Sequence, residues 1–335
     1  MFRSPANALL RLSVLPISFL FWQQTFGSDL PAFGPMLLAL LFCLCQRSPA
    51  PMMIIKIGIV LFISAWIQAY ISQSLINNPM VYYGLLFVIL YWCMHRAREN
   101  PSDILSTLML ITLVLVSYFN RQLGIDVSQL PGQLFKELML AGLLTYVGFI
   151  LFPGGYMVAV AASQPHQQVH SEIWHLLLKA LAIFTCLWGF ISLDLSQSAI
   201  MSITLANVIK DPNPIGGKDY GRRRLLTTAV GFMFAMPPLV LAAIEVNLVI
   251  QYGISVVSAM AMGIYAFSRQ ASNNSLQLLY SGFVILLFKG ISESGGDALY
   301  NDFIRLVAIL TAVIIGLLVL ILVQPNPVKA NEHLK

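Results

Sequence analysis

The string DPNPIGGKDYGRRRLL, Asp211 to Leu226, follows a short apolar segment that opens with Leu193-Asp194-Leu195. A similar segment opens with Ser28-Asp29-Leu30 and ends in QRSPAP, Gln46 to Pro51. In a register of 165 residues, Asp29 falls on Asp194, Leu30 on Leu195, Met36 on Met201, Leu40 on Leu205 and Pro49 on Pro214. A doubled apolar unit of this kind points to the internal repeats of membrane transport proteins.

The composition carries the same message. Of 335 residues, 58% are hydrophobic and 10% are charged, against about 25% charged in a soluble domain. That leaves too little polar surface for a water-soluble fold, and no stretch between apolar segments is long enough to build a separate core. The net charge of +5 sits in short connections, so it is a topology signal rather than a nucleic-acid footprint. Cys43, Cys45, Cys93 and Cys186 lie inside apolar segments and show neither metal spacing nor a disulfide framework. The first apolar run has no small-residue cleavage site after it and is read as a retained helix.

A crossing helix needs about 20 apolar residues. Twelve spans are expected: 8–24, 31–45, 52–72, 79–94, 103–119 and 134–152, then 173–193, 196–209, 225–244, 247–267, 276–290 and 304–323. The spans at 31–45 and 196–209 are short, and they are the two copies of the repeated segment. Paired short segments of this kind point to discontinuous helices near a transport site.

Basic residues orient the chain. With the N-terminus in the cytoplasm, alternation gives that side Arg3, Arg11, Arg47, Lys56, Arg96, Arg98, Lys210, Lys218, Arg222, Arg223, Arg224, Arg269, Lys329 and Lys335. The other side receives Arg121, Lys136, Lys289 and Arg305, and Lys179 lies within a span. The expected fold is therefore all-α and polytopic, with both termini cytoplasmic and two parallel six-helix repeats. Residues 1–153 form the first repeat, 154–171 a linker, 172–325 the second repeat and 326–335 a tail. Pro153 matches Pro325 in a register of 172, so the second half carries extra residues, placed best in the GGKDYGRRR stretch.

Ionisable groups in a span are costly and need a reason. Lys56 and Lys179 read either as snorkelling side chains or as positive charge along the path of an anionic solute, and Arg11 reads the same way. Asp29 and Asp194 occupy equivalent turns and read either as helix caps, where a carboxylate is favoured, or as candidate residues of the transport path. Glu245 is the candidate for a protonatable carboxylate. In the loop, Pro212 and Pro214 are expected to stop the preceding helix, and Gly216 and Gly217 to permit a tight turn. Lys218, Arg222, Arg223 and Arg224 then serve headgroup anchoring, substrate capture, or a latch with Asp211 and Asp219. GGK here is no phosphate loop, because Asp219 follows Lys218. No catalytic or metal-binding constellation is present, so neither an enzyme nor a cofactor is expected.

The run ANVIKDPNPIGGKDYGRRRLLTTAVGFMFA (Ala206 to Ala235) and the opening NALLRLSVLPISFLFWQ (Asn7 to Gln23) resemble the fusaric-acid-resistance-like, or aromatic acid exporter, superfamily. The size and two-part plan look most like its short branch of bacterial inner-membrane proteins. Thr227 departs from the glycine often found there. The resemblance implies an inner-membrane permease exporting small organic anions, aromatic carboxylic acids or related toxic compounds foremost. It also implies a periplasmic membrane-fusion partner and an outer-membrane channel, with a homo-oligomer open and no nucleic acid. An organic-anion channel and a non-transporting membrane scaffold or assembly factor are the alternatives.

Overall fold

A computed structural model describes residues 6–27, 30–45, 47–75, 77–99, 104–122, 126–155, 173–193, 197–210, 214–244, 246–292 and 297–323. Among the described residues every regular element is helical. In chain order these are α1 (Ala6–Phe26), α2 (Phe33–Leu44), α3 (Pro51–Ser74), α4 (Pro79–Glu99), α5 (Ile104–Ser117), a π-helical turn (Tyr118–Gln122) and α6 (Leu130–Leu151). After the linker come α7 (Ile173–Ser192), α8 (Ser198–Lys210), α9 (Pro214–Ala243), α10 (Leu248–Ser268), α11 (Asn273–Ser292) and α12 (Asp297–Leu322). Among the described residues seven helices contain a stretch long and apolar enough to cross a bilayer: those within α3, α4, α6, α7, α9, α10 and α12. The protein is a polytopic helical membrane protein. Its outward side chains agree, with Met80 90% and Ile150 77% exposed, a surface that suits lipid and not water.

The helices divide into two compact units, and the division falls inside α3, α9 and α12. Unit 1 comprises residues 1–63, 129–165 and 223–307, and unit 2 residues 64–128, 166–222 and 308–335. Each unit draws on both halves of the chain. In unit 1, α1 packs on α2 and α10, and α2 packs on α6 and α11. In unit 2, α7 packs on α8 and α4, and α8 packs on α5. Shifting helix numbers by six carries the pairs of α1 with α2, α1 with α10 and α2 with α11 onto those of unit 2.

Small residues set how closely these helices approach, since lipid tails supply no hydrophobic drive between apolar helices. In unit 1 a β-carbon on Gly148 of α6 would lie 2.5 Å from Phe42 Cζ and 2.7 Å from Leu15 Cδ1. In unit 2 one on Gly316 of α12 would lie 2.8 Å from Val208 Cγ1 of α8. The short α2 and α8 are thus each held by a glycine contact from the last helix of a half. The core of unit 2 is built from Leu90, Leu113, Ile183, Leu187, Leu205 and Ile209, all nearly inaccessible.

The segment expected as a basic loop is mostly helix. α9 begins at Pro214, where a fixed φ and a missing N–H suit the first helical position. Gly217 and Gly221 are spaced by one turn and form a packing face: β-carbons there would lie 2.5 Å from Val208 O and 2.8 Å from Val313 Cγ1. Asp211 and Pro212 lie outside the described residues, and Gly216 is helical backbone rather than a tight turn. Lys218, Asp219, Arg222 and Arg223 are exposed and Arg224 is half-buried.

Candidate functional site

Unit 2 concentrates polar groups along one face of α3. Ser64, Gln68 and Ser72 recur every fourth residue, so they share a helix face, and all three are buried. Gln68 Nε2 donates to Thr112 Oγ1 at 3.0 Å and to Met109 O at 3.1 Å. Ser64 and Thr112 hydroxyls pair at 2.7 Å. Further along, Asn120 of the π turn donates to Ser72 Oγ, and Ser198 at the start of α8 donates to Gln122 Oε1. The row runs from α5 into the π turn.

A π turn widens the helix by one residue per turn and is frequent at functional sites. Here it carries Arg121. The guanidinium lies over the Tyr82 ring with its carbon 4.8 Å from the centroid. Its Nε and Nη2 are buried and have no hydrogen-bond partner. These two donors lie on one edge of the guanidinium, the edge that grips both oxygens of a carboxylate. Tyr82 is fully buried, and its hydroxyl, Ser117 Oγ, Trp188 Nε1 and Gln197 Oε1 are likewise buried without partners. Tyr82 meets Trp188 edge-on at 6.1 Å, Trp188 meets Tyr83 at 4.5 Å, and Phe184 meets Phe87 at 5.8 Å. An aromatic cluster between α4 and α7 therefore adjoins a cation with two open donors.

The residues singled out from sequence are distributed differently. Lys179 is on α7 of unit 2 and only 8% exposed. Lys56 on α3 is exposed. Asp29, Asp194 and Glu245 lie outside the described residues. Arg11 is buried in unit 1 and donates to the carbonyls of Phe152, Gly154 (2.7 Å) and Gly155 (3.3 Å), with its carbon 4.2 Å from the Phe149 centroid. It therefore satisfies carbonyls of the turn that leaves α6, from the C-cap Phe152 to Gly155, and places its charge at the negative end of the helix dipole. Gly154 and Gly155 take φ of 78° and 73°, a conformation that favours glycine. Lys210, the last residue of α8, is buried and donates to Thr107 Oγ1 of α5.

In the sequence Arg121 reads as a topology marker, and neither Tyr82 nor the polar row of α3 stands out. The four-residue spacing of Ser64, Gln68 and Ser72 inside an apolar span is the signal that could have found the row. The described residues contain no group of three or more His, Cys, Asp or Glu placed to hold a metal.

Residues 10–148 match the family described as "Protein of unknown function (DUF2955)". The matched stretch contains Arg121, Tyr82, Gln23 and Glu137 and stops short of Lys179 and the basic start of α9. No curated protein and no solved structure matches the chain.

Proposed function

We propose that the protein is an inner-membrane permease that exports small organic anions, aromatic carboxylic acids foremost, with a periplasmic membrane-fusion protein as partner. It acts as a carrier and not as an enzyme. The observation that carries the reading is the Nε and Nη2 edge of Arg121, buried and without hydrogen-bond partners beside an aromatic cluster. Leaving two charged donors unpaired in a protein interior costs free energy, and a solute carboxylate removes that cost. The aromatic rings beside it offer faces and edges to an aryl group. The likeness to aromatic acid exporters supports the same solute class.

The test is protection of cells against an added aromatic acid such as benzoate. Arg121→Ala and Lys179→Ala are each expected to abolish protection while membrane levels stay unchanged. Full protection by Arg121→Ala at normal levels would overturn the assignment of the anion site.

A further inference from the structure

Unit 1 contains a second polar pair, between α1 and α6. Gln23 Nε2 donates to Glu137 Oε2. The two residues are 2% and 3% exposed, so a carboxylate is held inside a span where such groups are costly. Gly34 of α2 makes the space. A β-carbon there would collide with Glu137 Oε2 and would lie 2.8 Å from Phe19 Cε1 and 2.9 Å from Gln23 Nε2. The remaining oxygen of the glutamine, Oε1, is buried and has no hydrogen-bond partner.

We infer that Glu137 is a proton-binding site and that Gln23 serves both of its protonation states. The ionised carboxylate accepts from the amide N–H in the hydrogen bond that Gln23 Nε2 makes to Oε2. When the carboxylate takes a proton from water it becomes a carboxylic acid and gains an O–H donor. That donor needs an acceptor, and Gln23 Oε1 supplies one when the side-chain amide turns over. One primary amide thus carries both the donor and the acceptor that the two states call for. A lysine or arginine in place of Gln23 would serve only the ionised form.

The elements packed against α6 bring few charges. Among the described residues α1 carries Arg11, which is engaged with carbonyls just past the far end of α6. α2 carries the thiols Cys43 and, just past its end, Cys45. α3, in contact through Gly58 with Phe135 and Met139, carries the exposed Lys56, and α6 itself carries the exposed Lys136. A role for this proton in driving transport rests on the permease reading, whereas the proton site itself does not.

Infrared difference spectroscopy on the full chain in proteoliposomes separates the two. Acidification is expected to raise a carboxyl C=O band in the wild type that is missing in Glu137→Gln. Gln23→Leu is expected to keep the band but displace it, because the new O–H has lost its acceptor. A band unchanged in both variants, or no pH-dependent band at all, overturns the proton site. In benzoate-loaded proteoliposomes Glu137→Gln is expected to lose stimulation of flux by a pH gradient while retaining benzoate exchange. Full stimulation in that variant overturns the coupling role. Absence of benzoate flux in the wild type overturns the permease reading and leaves the proton site to be decided by the band.

Discussion

The α-carbon of Gly217 in α9 faces the carbonyl oxygen of Val208 in α8 so closely that a β-carbon would lie 2.5 Å from it. The obstacle is backbone and cannot rotate away. Gly217→Ala is therefore expected to destabilise unit 2 by about 1–3 kcal/mol through overpacking. Gly253 in α10 has nothing within 4 Å of the place a β-carbon would take. Gly253→Ala should be neutral or stabilising by about 0.5–1 kcal/mol, as for alanine in a helix interior. Thermal unfolding of both variants in one detergent checks the contrast, and equal losses would count against the packing argument.

Arg11 of α1 holds the turn that leaves α6, through the carbonyls of Phe152, Gly154 and Gly155. Arg11→Met keeps most of the aliphatic bulk and removes the donors. A lost hydrogen bond to a charged group is worth about 1.5–3 kcal/mol, so a loss of at least that order in unfolding free energy is expected. Arg11→Lys should recover only part of it, since one ammonium cannot reproduce a planar fork over the Phe149 ring. Full recovery by lysine would reduce the contact to simple charge at a helix terminus.

Asp126 lies in the exposed connection before α6, outside the spans. It accepts from the Ser128 backbone N–H at 2.9 Å, the Ser128 hydroxyl at 2.8 Å and Gln73 Nε2 at 2.8 Å. The bonds from the Ser128 backbone and hydroxyl, with that from Gln73, hold its carboxyl below the ordinary carboxylate value. A depressed folded value means that the stabilisation is present above about pH 4 and fades as pH falls through the folded value. Asp126→Asn should therefore lower the unfolding temperature slightly at neutral pH, with the difference from wild type closing under acid. A difference that stays constant down to strong acid would remove the charge from the account.

Much of the membrane plan is legible in the sequence. Twelve apolar segments correspond to twelve described helices, and the shortness of α2 and α8 is visible in both copies of the repeat. The start of α9 reads as a loop and folds as a helix for a definite reason. Proline and glycine signal turns in water, but Pro214 serves as a helix start and Gly217 and Gly221 serve as a packing face in lipid. Arg121 and Glu137 stand in the sequence as charged letters near span ends. Their significance depends on which side chains from other helices surround them, and the partners Tyr82 and Gln23 stand 39 and 114 residues away. No local pattern encodes such distances.

The crossed partner lists of the two units constrain biosynthesis. When the ribosome has delivered α1 to α6, α2 still lacks α11, α1 lacks α10, and α4 and α5 lack α7 and α8. Neither unit has its full set of neighbours until the second half has entered the membrane. A fragment ending in the linker is thus an open half of two incomplete assemblies, exposed to membrane quality control. Its natural complement is the other fragment, supplied separately.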